Sequence, residues 1–396
     1  MTTTNFGSTV SCSRETSERS DQKARWCGPL LMLWFLIVSV FLISASDTRA
    51  DSKSGPFLPG QGSTSPANGD LNPYGLAVVP KDFPMGKLEP GQLLVSNFNN
   101  SATQANPGGI QGEGSTIVEI DPATGQETGL FFQGTAPIGF TNALAVAGGF
   151  VFAGSVFTTS SGSPGENGGL LVIDSNGRLL TTIKAGTNGP WGLAINNQGE
   201  TAQLFISNVL DGTITRIDVS FSGGFSTVGS PTTKGSGFAF NTDATALVVG
   251  PAGLAYDAQR DILYVAAEDD NQIFALANAS KLTSSSGKGT LIFSDQTHLH
   301  GPLGLIIAPN GDLITANADP TAHVDPTQPS ELVEFTTSGN FVRQFSIDPN
   351  TGSAFAILNV QGGPANQFAY VDDFSSILSV FSTGQVSKHH RHFSGD

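Results

Sequence analysis

The sequence predicts an all-β chain, a six-bladed β-propeller of four-stranded antiparallel blades preceded by an N-terminal hydrophobic helix. Three observations lead there. A meander of short apolar runs recurs six times along 396 residues, at steps of about fifty to seventy, the spacing of propeller blades. The chain holds 48 glycines and 22 prolines, which suit many short strands with tight turns and disfavour helices. Residues 251–276, PAGLAYDAQRDILYVAAEDDNQIFAL, display the pattern most fully: three apolar runs separated by polar turns.

The N-terminus stands apart. Residues 1–25 are polar and end in Lys23 and Arg25, and residues 28–45 read GPLLMLWFLIVSVFLISA without a charge. Basic flank, apolar core and small residues at Thr48-Arg49-Ala50 or Ser44-Ala45-Ser46 suit a signal peptide; the length also suits a retained signal anchor. Residues 1–50 are therefore assigned to one or the other. Either places residues 51 onward outside the cytoplasm, periplasmic or secreted, with 28–45 tethering the chain to the inner membrane if retained. Cys12 and Cys27 both lie in this segment, which leaves the rest without a disulfide or thiol nucleophile. Residues 51–70, rich in Gly, Pro and Ser, read as a linker.

The propeller is expected over 71–385. The first copy begins Asn72-Pro73-Tyr74-Gly75-Leu76, with further strands at 92–96, 116–120 and 129–132. The second takes 142–146, 150–153, 170–173 and 179–183; the third begins Pro190-Trp191-Gly192 and continues at 204–207 and 213–217. The fourth is 251–276 with an outer run at 290–293. The fifth takes 302–307, 312–316, 331–335 and 341–345. The sixth, at 354–358, 368–371 and 377–381, has no clear fourth strand. An unassigned run at 55–58 precedes the first copy, so the ring is expected to close with a strand from the linker or the tail. The alternative is seven blades, with the extra one inside 219–250. Residues 386–396, with His389, His390 and His392, read as a disordered tail.

Pro190-Trp191-Gly192-Leu193-Ala194 and Pro251-Ala252-Gly253-Leu254-Ala255 resemble the opening of an NHL repeat. Leu263-Tyr264-Val265-Ala266 followed by Asp269, Asn271 and Ile273 resembles its continuation. Over residues 72–381 the chain is similar to bacterial extracytoplasmic NHL or gluconolactonase-like six-bladed propellers. It departs from them in lacking the Arg of the N-x-R-I element, and in losing P-x-G from the second and sixth copies. The resemblance implies a channel lined by each first strand. In the gluconolactonase-like enzymes it also implies a divalent metal held at the channel mouth by Glu, Asn and Asp. No Glu opens the first blade here, and no Asn stands at the motif position of the third or fourth, which counts against a lactonase.

Candidate site residues follow from the same geometry. The residue between Pro and Gly sits at the channel mouth: Tyr74, Asn142, Trp191, Ala252, Leu303 and Phe355. Tyr74, Trp191 and Phe355 are candidates to stack on a sugar ring or apolar ligand; otherwise they cap the core between blades. The turns after the second strands carry Asn97, Asn208, Asp269, Asn317 and Asp372, whose oxygens either bind a ligand such as calcium or fix their own turns. Three overgrown loops, 97–115, 155–168 and 317–330, rise from that same face. His298, His300 and His323 form the one candidate zinc set, against a reading as ordinary surface histidines.

The net charge of −15 speaks against nucleic acid and anionic membrane as partners, leaving the N-terminal segment as the membrane contact. No G-x-S-x-G, phosphate loop or paired-Cys motif is present. The sequence therefore points to an exported binding or scaffold module. It acts through one loop-decorated face on a protein, peptide or saccharide, with no cofactor. The alternative is a metal-dependent hydrolase or lyase using calcium or zinc.

Overall fold

A computed structural model describes residues 57–382, except 136, 160–162, 166–167, 244–245, 318–329, 349–353 and 361–366. These belong to one compact unit, Lys53–Asp396. The apolar stretch 28–45, His323 and the tail 386–396 lie outside the described residues. Among the described residues no helix is long and apolar enough to cross a membrane.

The described residues start with β1 (Phe57–Ser63), then run through six meanders. The first blade is β2 (Leu71–Val78), β3 (Leu93–Asn99), β4 (Thr116–Ile120) and β5 (Glu127–Gln133). The second is β6 (Phe140–Ala147), β7 (Phe150–Ser155), β8 (Gly169–Asp174) and β9 (Leu179–Ile183). The third is β10 (Pro190–Asn197), β11 (Thr201–Asn208), β12 (Thr213–Ser220) and β13 (Ser226–Ser236). A two-stranded hairpin follows, β14 (Asn241–Asp243) and β15 (Leu247–Val249). The fourth blade is β16 (Pro251–Asp257), β17 (Ile262–Ala267), β18 (Gln272–Ala277) and β19 (Thr290–Phe293). The fifth is β20 (Pro302–Ile307), β21 (Leu313–Asn317), β22 (Ser330–Phe335) and β23 (Phe341–Asp348). The sixth holds β24 (Ala354–Asn359), β25 (Gln367–Asp372) and β26 (Ile377–Ser382). The fold is thus all-β and six-bladed. The stretch 219–250 is taken up by the long outer strand β13 and the β14–β15 hairpin, so it holds no seventh four-stranded sheet among the described residues.

The missing outer strand of the sixth blade is β1, which runs antiparallel to β26 with Gly60 opposite Val380 and Ser63 opposite Ile377. Thr64 continues the contact, its backbone N–H and Oγ1 both donating to the Ser376 carbonyl at 2.9 and 3.0 Å. β1 also lies against the β4–β5 turn of the first blade. A Cβ on Gly60 would stand 2.7 Å from the Thr124 carbonyl carbon, and one on Gly62 would stand 2.1 Å from the Gly125 oxygen. Glycines are required there because two backbones touch.

The same reasoning explains the P-x-G signature. A Cβ on Gly192 would stand 1.9 Å from the Ala252 carbonyl oxygen, on Gly253 2.1 Å from that of Leu303, and on Gly304 2.4 Å from that of Phe355. Each motif glycine therefore admits the inner strand of the next blade. Hydroxyls secure these seams: Ser207 Oγ donates to the Ala252 carbonyl at 2.7 Å, and Ser96 Oγ to that of Thr141 at 3.4 Å. The second copy, which lost P-x-G, moves the gap across the sheet. Ala143 occupies the inner strand, and Gly154 of β7 faces the Pro190 carbonyl, with 2.5 Å left for a Cβ. Thr141 Oγ1 donates to that same carbonyl at 2.7 Å. Between blades, apolar faces pack in layers, such as Leu170, Val172, Leu204, Ile206 and Ile217 between the second and third.

Candidate functional site

Antiparallel pairing puts the start of each first strand beside the end of each second strand. Pro73 lies opposite Asn97, Pro190 opposite Asn208, Pro302 opposite Asn317 and Ala354 opposite Asp372. The predicted aromatic and Asn/Asp positions therefore share one face of the disc, which the strand register alone requires.

At the centre of that face the predicted aromatics meet one another. Tyr74, Trp191 and Phe355 are 3%, 2% and 4% exposed. Tyr74 lies between two rings, stacked on Phe355 at 3.9 Å and on Phe98 at 4.5 Å. Trp191 meets Tyr74 edge-on at 5.8 Å and Phe98 at 5.6 Å. Ala252 and Leu303 are fully buried in the same cluster, while Asn142 is half-buried. Phe98 was not among the predicted residues; its only signal is an apolar side chain between Asn97 and Asn99. The result is an aromatic plug contributed by the first, third and sixth blades.

A divalent metal at this mouth, as the gluconolactonase-like resemblance implies, needs oxygen ligands. The positions hold Tyr74, Trp191 and Ala252. Trp191 Nε1 is buried without a hydrogen-bond partner, and an N–H donor repels a cation. The residues at the mouth do not fit the metal.

Three of the Asn/Asp positions, Asn97, Asn208 and Asn317, are engaged with the segments that enter their own blades. Asn97 Nδ2 donates to the Thr64 carbonyl at 2.9 Å and to Thr116 Oγ1 at 3.2 Å. Asn208 Oδ1 accepts from the Asn188 N–H at 2.9 Å, and its Nδ2 donates to Thr215 Oγ1 at 3.0 Å. Asn317 Nδ2 donates to the His298 carbonyl at 2.6 Å, and its Oδ1 accepts from the His300 N–H at 3.1 Å. Asp372 Oδ1 accepts from the Ser375 N–H at 3.1 Å. Asp269 is half-buried in the fourth turn, where the neighbouring Asn271 binds forward to the Leu299 carbonyl at 2.7 Å and the Gly301 N–H at 3.0 Å. Side-chain amides at strand ends thus hold the entry loops in place.

Two of the three long loops join. Thr158 Oγ1 donates to the Gln111 carbonyl, and the Thr158 N–H to that of Gly112 at 3.3 Å. Gly112 has φ +75°, and a Cβ there would stand 2.4 Å from Thr158 Oγ1. Asn100 ties the first loop internally, to Glu113 and to the Ile110 N–H, each at 2.7 Å. Of the third loop, 318–329 lie outside the described residues.

His298 and His300 point to different partners. His298 Nδ1 pairs with Asp295 Oδ2 at 2.6 Å, and its ring stacks on Phe341 at 3.8 Å. His300 Nε2 lies 3.3 Å from the Thr297 carbonyl. Burial works to raise the Asp295 carboxyl, but hydrogen bonds from His298 and the Thr297 N–H outweigh it and hold it below the ordinary aspartate value. Among the described residues no three His, Cys, Asp or Glu side chains are grouped to hold a metal ion.

Sequence reasoning also missed Lys234 of β13, buried at the seam with the fourth blade. Its Nζ donates to the Leu282 carbonyl. Burial, then the Arg216 charge, push its pKa down to about 8 against the pull of Asp218 and Asp261. A lysine inside a Gly/Ser/Thr run carries no signal of burial.

No protein-family model matches the chain, and no curated relative does. Solved structures do. A gluconolactonase from Xanthomonas campestris shares 14% identity over 80% of this chain and 87% of its own, with a TM-score of 0.49. Regucalcin, a calcium-binding protein from Agrobacterium tumefaciens, shares 11% over 82% and 93%, with a TM-score of 0.48. Virginiamycin B lyase from Staphylococcus aureus shares 14% over 81% and 88%, with a TM-score of 0.43. The likeness is one of fold.

Proposed function

We propose that the chain is an exported binding or scaffold propeller. The face carrying loops 97–115, 155–168 and 317–330 meets a protein, peptide or saccharide partner, and the ring behind it acts as rigid support. The observation that supports this reading is the aromatic plug. With Tyr74, Phe98, Trp191 and Phe355 filling the mouth, that face offers a closed floor rather than an open channel, and two of its loops are bonded to each other. Export rests on the apolar run 28–45 behind a basic flank. The acidic balance disfavours nucleic acid. The test is a screen of glycan and peptide arrays with the full chain and with Gly112→Val, which separates the two loops. A ligand that binds the wild type and is lost in the variant supports the reading. Ligands that bind both equally would move the site elsewhere.

A metal-dependent hydrolase or lyase is the second reading, and one observation favours it away from the channel. Asn97 Oδ1 and Asn99 Oδ1, two residues apart on β3, are buried without a hydrogen-bond partner. Asn97 also shares Thr116 Oγ1 with the buried Asp70 carboxylate, at 3.2 and 2.9 Å. Carbonyl and carboxylate oxygens are what calcium takes. A rise in Tm with millimolar calcium, lost in Asn97→Ala, would support a bound ion; an unchanged melt would remove this reading.

A further inference from the structure

A cleft of about 550 Å³ opens at the rim between the second and third blades, along their outer strands. Its size suits a small organic ligand. One wall is the end of β9, with Thr181, Thr182 and Ile183; the other is β13, with Thr227, Gly229 and Pro231, where the strand bulges against β12. The floor is the outer margin of the inter-blade core: Ile217, 2% exposed, and Phe225, which packs against Phe150 and Phe152 at 5.7 and 5.8 Å. Gly229, at φ +69° with nothing within 4 Å of a Cβ, keeps the middle of the cleft open.

The polar lining carries charge of one sign only. It consists of the hydroxyls of Thr181, Thr182, Ser226 and Thr227 and the Lys184 amine, and none of these enters a hydrogen bond among the described residues. Lys184 is the one ionisable residue in the lining, and there is no carboxylate or side-chain amide. On a chain of net charge −15 that is a local reversal of sign. Asn97, Asn208 and Asn317 of the loop face are engaged with the segments that enter their blades, whereas these hydroxyls and this amine are uncommitted. A lone ammonium beside hydroxyls that are able to donate, above an apolar floor, matches a ligand with an apolar body and an anionic head.

From this lining we infer that the cleft binds an amphiphilic carboxylate, its apolar body on Ile217, Phe225 and Pro231 and its anionic head against Lys184 and the threonine hydroxyls. The proposal goes beyond the loop-face reading and does not depend on it.

The test is calorimetric titration of the full chain with 4-phenylbutyrate and its neutral amide, 4-phenylbutyramide. One saturable site per chain is expected, with the amide at least about tenfold weaker, the loss that one charge-assisted hydrogen bond carries. Lys184→Glu should weaken the acid by a similar factor, and Thr227→Trp, which fills the cleft from an exposed position, should abolish binding. Thr181→Trp repeats that test from the opposite wall should the first variant melt early. Lys281→Glu, a lysine on the fourth blade whose side chain is 78% exposed, should bind as wild type. Equal binding of acid and amide, an unchanged Lys184→Glu, or no saturable site overturns the proposal. None of these substitutions touches loops 97–115 or 155–168, so failure here leaves the loop-face reading standing.

Discussion

The Tyr74 ring lies flat on Phe355, centroids 3.9 Å apart and planes 14° from parallel, so the first inner strand of the ring rests directly on the last. Phe98 covers the other face of Tyr74 at 4.5 Å. This contact joins residues distant in sequence and closes the ring at its axis, as β1 closes it at its rim.

Tyr74→Ala and Phe355→Ala should therefore each cost about 3–5 kcal/mol, the range for truncating a buried aromatic. The double variant should cost less than the sum, because the two rings touch. Denaturant unfolding of the four species measures this coupling. Strict additivity would show that the stack is not a unit. Trp191 emission reports on the same plug. It should shift when Tyr74 is truncated, and stay unmoved by a ligand that acts on the loops above.

The rim closure has its own test. Gly62→Val places side-chain carbon against the Gly125 carbonyl, where a Cβ would already stand at 2.1 Å. β1 should detach from β26, and proteolysis should then cut between residues 53 and 64 while the remaining blades resist. Protection equal to wild type would mean that the β4–β5 turn yields and β1 is not held by it.

Gly192→Ala adds a single methyl group, yet its carbon would stand 1.9 Å from the Ala252 carbonyl oxygen. Helix or strand propensity alone would predict a small gain from losing a glycine. Close approach of two inner strands predicts the opposite, a loss of about 1–3 kcal/mol typical of overpacking. Gly199→Ala is the contrast: φ is +84° and nothing lies within 4 Å, so its cost is backbone strain without a clash. A stabilised Gly192→Ala would refute the seam argument.

These seams also explain what could be read in advance. P-x-G was visible because the close approach it serves recurs at the same place in successive blades, as at Gly192, Gly253 and Gly304. The end-of-strand residues Asn97, Asn208 and Asn317 were visible for the same reason. Their engagement with Thr64, Asn188 and His298 was not, because those partners come from the preceding connection. Tyr74, Trp191 and Phe355 could be placed at the mouth from the register. That they stack on each other depends on ring curvature and on Phe98, which pattern reading assigns to an ordinary strand. The rim cleft gave no sequence signal: Thr181, Lys184 and Thr227 are common surface residues, and only the divergence of two blades brings them together.

Lys234 offers a test by pH. Its folded pKa is pushed down to about 8 from an ordinary 10.5, so the fold disfavours the charged amine. Below pH 8 the lysine is protonated in both states, and the folded state bears the full penalty of a buried charge. As pH rises from 8 towards 10.5 the folded lysine loses its proton while the unfolded one keeps it, so the penalty is relieved and stability increases. Lys234→Met lacks this dependence. Its stability relative to wild type should therefore fall as pH rises through that window, by less than the roughly 3 kcal/mol of the full shift, since solvent screens part of the charge. Met also leaves the Leu282 carbonyl without its donor, which lowers the variant at every pH and does not alter the slope. Parallel unfolding curves at pH 7.5, 9 and 10 measure that slope. A difference between the two proteins that stays constant across the three would show that Lys234 keeps an ordinary pKa in the folded seam.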